Sequence, residues 1–156
     1  MAEQHSEGLA PNDVRVRNLE ETDLDAIEKI DELAMGHARP DFYRPRVTQA
    51  CRDRERHPTL VAVVGDEVVG FLMATMQRGE FGRPEPTAVI DAVGVHRDHR
   101  RRKVARALMD KLLLDVRALG AQAVRTEVEW NDFDLVRFFS SQGFAPAYRI
   151  LLERAP

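Results

Sequence analysis

A mixed α/β layer structure is the fold class this sequence predicts, and three observations carry it. Residues 60–64, 68–74 and 88–95 are apolar runs rich in β-branched side chains, the composition of buried strands. A helical stripe of Val104, Leu108, Leu112, Val116 and Leu119 lies between the last of these runs and another strand-like run at 123–128, the pattern of a right-handed crossover joining adjacent parallel strands. The 156 residues, 44% hydrophobic and 31% charged, hold enough apolar material for one core of ordinary domain size.

In chain order, residues 1–12 mix Gly, Pro, Ser and charge without periodicity and are expected to form a flexible tail, leaving 13–156 as a single domain. Val14 and Val16 alternate with Arg15 and Arg17 in a short first strand. Thr22-x-x-Asp25 has the form of a capping box, and Leu24, Ile27, Ile30 and Leu33 follow at helical spacing up to Met35-Gly36. A second, mostly charged helix is expected over 41–58, where Val47, Ala50 and Cys51 recur at helical intervals behind Pro40 and Pro45.

The runs at 60–64 and 68–74 flank Gly65-Asp66-Glu67 and read as a hairpin. A Gly- and Pro-bearing loop over 77–86 leads to the run at 88–95, whose two faces are apolar apart from Asp91, as in a central strand. The long helix that follows is closed by Gly120. After the strand at 123–128, Asn131 or Asp132 can cap a helix through Leu135, Phe138 and Phe139 to Gly143, and residues 147–152 read as a final strand. The expected order is β-α-α-β-β-β-α-β-α-β.

Composition excludes several classes. A net charge of -3 and a pI near 6.0 argue against a surface built as a whole for nucleic acid. No run reaches the roughly 18 consecutive apolar residues of a membrane-spanning helix, and the first residues lack the basic and apolar regions of a secretory signal. The single Cys51 cannot form an internal disulfide, which fits a reducing, cytoplasmic setting. The five histidines have no metal-ligand spacing, so no metal is expected.

Within this mildly acidic chain, His99-Arg100-Arg101-Arg102-Lys103 is a compact cationic island between the end of the buried strand and the start of the long helix. The first N–H groups of a helix have no intrahelical acceptor, and the helix dipole favours negative charge there, so the island makes an anion cradle that suits a pyrophosphate. Neither GxxxxGK[ST] nor GxGxxG is present.

These residues resemble the GNAT family of N-acetyltransferases. The family's signature is a strand ending in Val, a loop of the form Arg/Gln-x-x-Gly-x-Gly/Ala, and a helix with Leu near its first turn. It stands here as Val95, then Arg100-Arg101-Arg102-Lys103-Val104-Ala105, then Leu108. A second element, an Asn ahead of a helix ending in aromatic-Tyr-x-x-x-Gly-Phe, stands as Asn131 and Phe138-Phe139-Ser140-Ser141-Gln142-Gly143-Phe144. The resemblance covers residues 14–154. It implies an α/β fold with a mixed, mostly antiparallel sheet, a parallel pair at the coenzyme site and helices on both faces. It also implies acetyl-CoA as cosubstrate, held by Val93, Gly94 and Val95 along the pantetheine, by Arg100, Arg101, Arg102, Lys103, Val104, Ala105 and Arg106 at the pyrophosphate, and by Asn131.

Two positions depart from that pattern. Lys103 replaces the first loop glycine; with ordinary helical dihedrals its amide would still donate and its ammonium could swing outward to a phosphate. Phe139 stands where the family usually has the Tyr that protonates the leaving thiolate; it reads as a core aromatic, with Tyr148 as a substitute acid.

An amine acceptor must lose a proton as it attacks a thioester, and a carboxylate on the central strand can take it. Asp91 is the candidate base, read as alternating with Val89, Val93 and Val95 on one otherwise apolar face; the competing reading is a carboxylate paired with an Arg. Glu129 and Glu80 are weaker candidates. Cys51 reads as a small packed side chain, with a thiol acidified by Arg52 and Arg54 as the alternative, and Trp130 reads as core. The leading expectation is an N-acetyltransferase acting on a primary amine of a small molecule or peptide, with a homodimer left open. The alternatives are an impaired acyl-CoA-binding sensor of the same fold and a nucleic-acid contact through the island.

Overall fold

The computed structural model describes residues 13–156; the expected tail over 1–12 lies outside them. Five strands, β1 (Val14–Asn18), β2 (Thr59–Val64), β3 (Glu67–Gln77), β4 (Thr87–Val95) and β5 (Ala123–Thr126), form one sheet in the order β1-β2-β3-β4-β5. All neighbours are antiparallel except β4 and β5, the parallel pair expected from the crossover. Four helices cover the sheet: α1 (Leu24–Met35), α2 (Pro40–Arg52), α3 (Val104–Ala118) and α4 (Phe133–Ser141).

Side-chain alternation along the strands splits the core into two layers. Leu60, Ala62, Leu72, Ala74, Ala88 and Ile90 pack beneath α3 with Phe139 of α4. Val61, Val63, Phe71 and Met73 pack against α1 and α2 on the other face. The α3 stripe is buried as its spacing predicts, and Gly120 takes the left-handed conformation past its end at φ 88°. Gly70 sets how closely α3 approaches: a Cβ there would lie 2.8 Å from Val104 Cγ1, so only the bare backbone lets the start of α3 rest on β3.

Several boundaries differ from expectation. The capping box is formed by Glu20 and Asp23 rather than by Thr22 and Asp25, and closes the 3-10 turn Glu21–Asp23 that leads into α1; Arg17 of β1 grips both Asp23 oxygens (2.7 and 2.9 Å) while Asp23 accepts the Glu20 N–H (2.8 Å). The second helix stops at Arg52, and residues 53–58 turn into β2. β5 ends at Thr126. Asp132, not Asn131, caps α4, accepting the Leu135 N–H at 3.1 Å.

The expected final strand is absent. Residues 147–152 have no strand partner, and Tyr148, Ile150, Leu151 and Leu152 are exposed. Their apolar content is a local signal, whereas a strand exists only where a neighbouring edge accepts its N–H and C=O groups.

Candidate active site

β4 and β5 pair only from Thr87↔Ala123 to Ile90↔Thr126. There the Thr126 hydroxyl donates to the Ile90 carbonyl (3.2 Å), β5 ends, and β4 runs on to Val95 paired with β3 alone. The sheet therefore forks. Along residues 91–95, the backbone groups turned away from β3 are free to bond an extended chain laid in the fork.

Asp91 stands at the root of this fork, on a β-bulge. Met73 pairs with Ala92 and the next β3 residue, Ala74, pairs with Ile90, so Asp91 is the extra residue of β4. The bulge changes the phase of the strand. Ala88, Ile90, Val93 and Val95 all pack in the α3 layer, so Asp91 does not share a face with Val93 and Val95 as strict alternation predicts. Its exposed carboxylate accepts the Thr75 hydroxyl at 2.7 Å and lines a cleft of about 310 Å³ with Arg46, Gln49, His57, Thr59 and Thr75. His57 carried no sequence signal, because it lies in a turn 34 positions before Asp91 and only the β2-β3-β4 order brings the two together.

At the far end of β4, His96 continues the pairing with an N–H bond to the Val69 carbonyl (2.8 Å), and a short 3-10 turn over Arg97–His99 leads into the cationic loop. Arg100, Arg101, Arg102, Lys103 and Arg106 are exposed, Val104 is buried and Ala105 half-buried. Lys103 does not have helical dihedrals: at φ 62° and ψ 20° it adopts the left-handed conformation that favours glycine, and Arg101 does likewise at φ 61°. The loop thus takes a glycine-like conformation without a glycine. Ala107 N–H is the first to bond back, to the Lys103 carbonyl (3.0 Å), which leaves the preceding N–H groups of α3 without an intrahelical acceptor.

The remaining candidates scatter. Asn131 is exposed in the turn before α4, and Glu129 is exposed beyond the end of β5. Glu80 lines a neighbouring cleft of about 570 Å³ with Asp53, Glu55 and Arg56, which meets the Asp91 cleft at Thr75. Trp130 is 82% exposed rather than core, since β5 ends before reaching it. Phe139 is 4% exposed and packs on Phe144 with ring centroids 5.0 Å apart, as a core aromatic should. Tyr148 is fully exposed on the unpaired C-terminal segment and lines none of the clefts described. Burial pushes the Cys51 thiol up, and Glu21 adds to the shift, against the lowering by Arg54; the acidified-thiol alternative does not hold. Among the described residues, no helix is long and apolar enough to cross a membrane.

Comparison with known proteins agrees with this architecture. The profile of the acetyltransferase (GNAT) family matches residues 24–144. Mycothiol acetyltransferase of Propionibacterium freudenreichii subsp. shermanii is 28% identical over 153 residues, 92% of this chain; the chain spans about half (47%) of that protein's length. A crystal structure of a transcriptional regulator from Bacillus halodurans C-125 superposes with a TM-score of 0.78 at 20% identity, covering 92% of this chain and 100% of that one. The aminoglycoside N-acetyltransferase AAC(6')-Iy, solved in complex with CoA, superposes with a TM-score of 0.78 at 14% identity over 92% of this chain and 95% of its own.

Proposed function

The chain belongs to the acetyltransferase (GNAT) family, and from that premise we propose that it moves the acetyl group of acetyl-CoA directly to a primary amine of a small molecule or peptide, in the cytoplasm. The observation that carries the reading is the fork: a strand edge left unpaired along residues 91–95, a carboxylate at its root and a cationic helix start at its tip.

The coenzyme supplies an activated thioester. Val93, Gly94 and Val95 offer backbone groups to the pantetheine amides, and Asn131 its side-chain amide. Arg100, Arg101, Arg102, Lys103 and Arg106 offer cations to the pyrophosphate, beside the N–H groups of Val104 and Ala105. The fit is chemical: the left-handed backbone at Lys103 turns the loop without a glycine, and the cationic side chains stand in solvent, free to close on an anion. Asp91 provides the negative charge that favours proton removal from the incoming amine. The cleft it lines, open to solvent and adjoining the fork, is where that amine enters.

A second reading has its own observation. Phe139 is buried and carries no hydroxyl, so the chain lacks the usual acid for the leaving thiolate, as a coenzyme-binding module that has lost turnover would. Calorimetry with CoA, combined with thiol release from acetyl-CoA over a panel of primary amines, separates the two. Binding with amine-dependent release supports the transferase. Binding without release under any amine supports the sensor, and no binding overturns both. Charge reversal at Arg100 and Arg102 should weaken coenzyme binding and flatten its dependence on salt.

A further inference from the structure

Asp91 is one end of a chain of three polar side chains. The Thr75 hydroxyl donates its only proton to Asp91 Oδ2 at 2.7 Å, and the same Oγ1 lies 3.5 Å from His57 Nδ1. With that proton committed to the carboxylate, what Thr75 presents to the imidazole is a lone pair, which pairs with the tautomer that carries its hydrogen on Nδ1. In that tautomer the opposite nitrogen, Nε2, carries the free lone pair. All three residues line the same cleft, each from a different part of the chain: His57 from the turn before β2, Thr75 from β3 and Asp91 from the bulge of β4.

We propose that His57 is the general base of the acetyl transfer, that Thr75 is the positioning residue fixing its tautomer, and that Asp91 acts through Thr75 to stabilise the imidazolium. The proposal rests on the reading of this cleft as the amine site. The amine nitrogen forms its bond to the thioester carbonyl carbon and gives its proton to His57 Nε2. The C–S bond breaks, and the thiolate sulfur takes a proton from water while His57 returns its own to solvent. Imidazole is the side chain whose ordinary titration falls nearest neutrality, where a base is most effective. The charged groups lining the cleft around His57 are Arg46 of α2 and Asp91; Asp53 and Arg56 flank it on its own turn.

The test uses the full chain with acetyl-CoA and a panel of primary amines. His57→Gln should lower kcat by roughly 10²-fold or more and abolish the acidic limb of the pH–rate profile, leaving CoA affinity unchanged. Asp91→Asn should lower kcat while leaving CoA affinity unchanged, and Thr75→Ser should restore what Thr75→Val loses. Nitrogen NMR of His57 reads the tautomer without any turnover: protonated Nδ1 in the wild type, with the preference lost in Thr75→Val. A wild-type pH profile in His57→Gln, beside an inactive Asp91→Asn, would overturn the proposal while leaving acetyl transfer standing. Protonated Nε2 in the wild type would overturn it whatever the activity. Absence of CoA binding in the wild type would instead remove the functional reading beneath it.

Discussion

Gly94 faces Phe71 across the β3–β4 pair, and a Cβ on Gly94 would stand 2.6 Å from Phe71 Cε1 and 3.2 Å from Ile30 Cγ2. The missing side chain serves space rather than backbone freedom. Phe71 in turn packs edge-on against Tyr43 (5.6 Å between centroids), whose hydroxyl donates to Asp31 (2.8 Å). One packed chain of contacts thus runs from β4 through the core to α1 and α2.

Gly94→Ala should therefore force Phe71 or α1 to move, at a cost of about 1–3 kcal/mol, as overpacking commonly does. In a domain of this size that lowers Tm by roughly 2–4 °C per kcal/mol. Thermal unfolding checks it; an unchanged Tm would show that the ring gives way freely.

Asp31 ties α1 to α2 through Arg39 and Tyr43. Burial pushes its carboxyl up, but the hydrogen bonds from Arg39 and Tyr43 outweigh that and leave it below the ordinary carboxylate value. A depressed carboxyl contributes stability above its unfolded pKa of about 3.9 and loses it as pH falls through the folded value. Asp31→Asn should cost roughly 2 kcal/mol at neutral pH, the low end for a broken charge pair because Arg39 is partly exposed. It should also make acid unfolding less steep below about pH 4. Urea titrations at several pH values measure both effects.

Lys103 holds a conformation that costs a non-glycine residue about 1 kcal/mol. Lys103→Gly should be more stable than Lys103→Ala by about that amount, while both lose the same cation and weaken CoA binding alike. Equal stabilities would mean that the loop relaxes in the variants.

Cys51, pushed up by burial, should react with iodoacetamide more slowly at neutral pH than a free thiol, with a rate that rises through an apparent pKa above the ordinary value. Faster alkylation than free cysteine would contradict the burial.

Local periodicity was enough to read most of the elements. The stripe from Val104 to Val116, Gly120 after it, and the β-branched runs of β2, β3 and β4 each describe how a segment buries one face, and that preference is written in neighbouring residues. The cationic helix start was legible for the same reason, since Arg100 to Lys103 are consecutive. Tertiary structure decided what depends on partners distant in the chain. Asp91 left the face that alternation assigned it because β3 and β4 differ by one residue in register, a mismatch visible only once the strands pair. His57 joined Thr75 through the pairing of β2 with β3, and Asp91 joined both through that of β3 with β4. Residues 147–152 are as apolar as a strand and remain unpaired among the described residues, because strand hydrogen bonds are made to another segment and no local pattern supplies the partner.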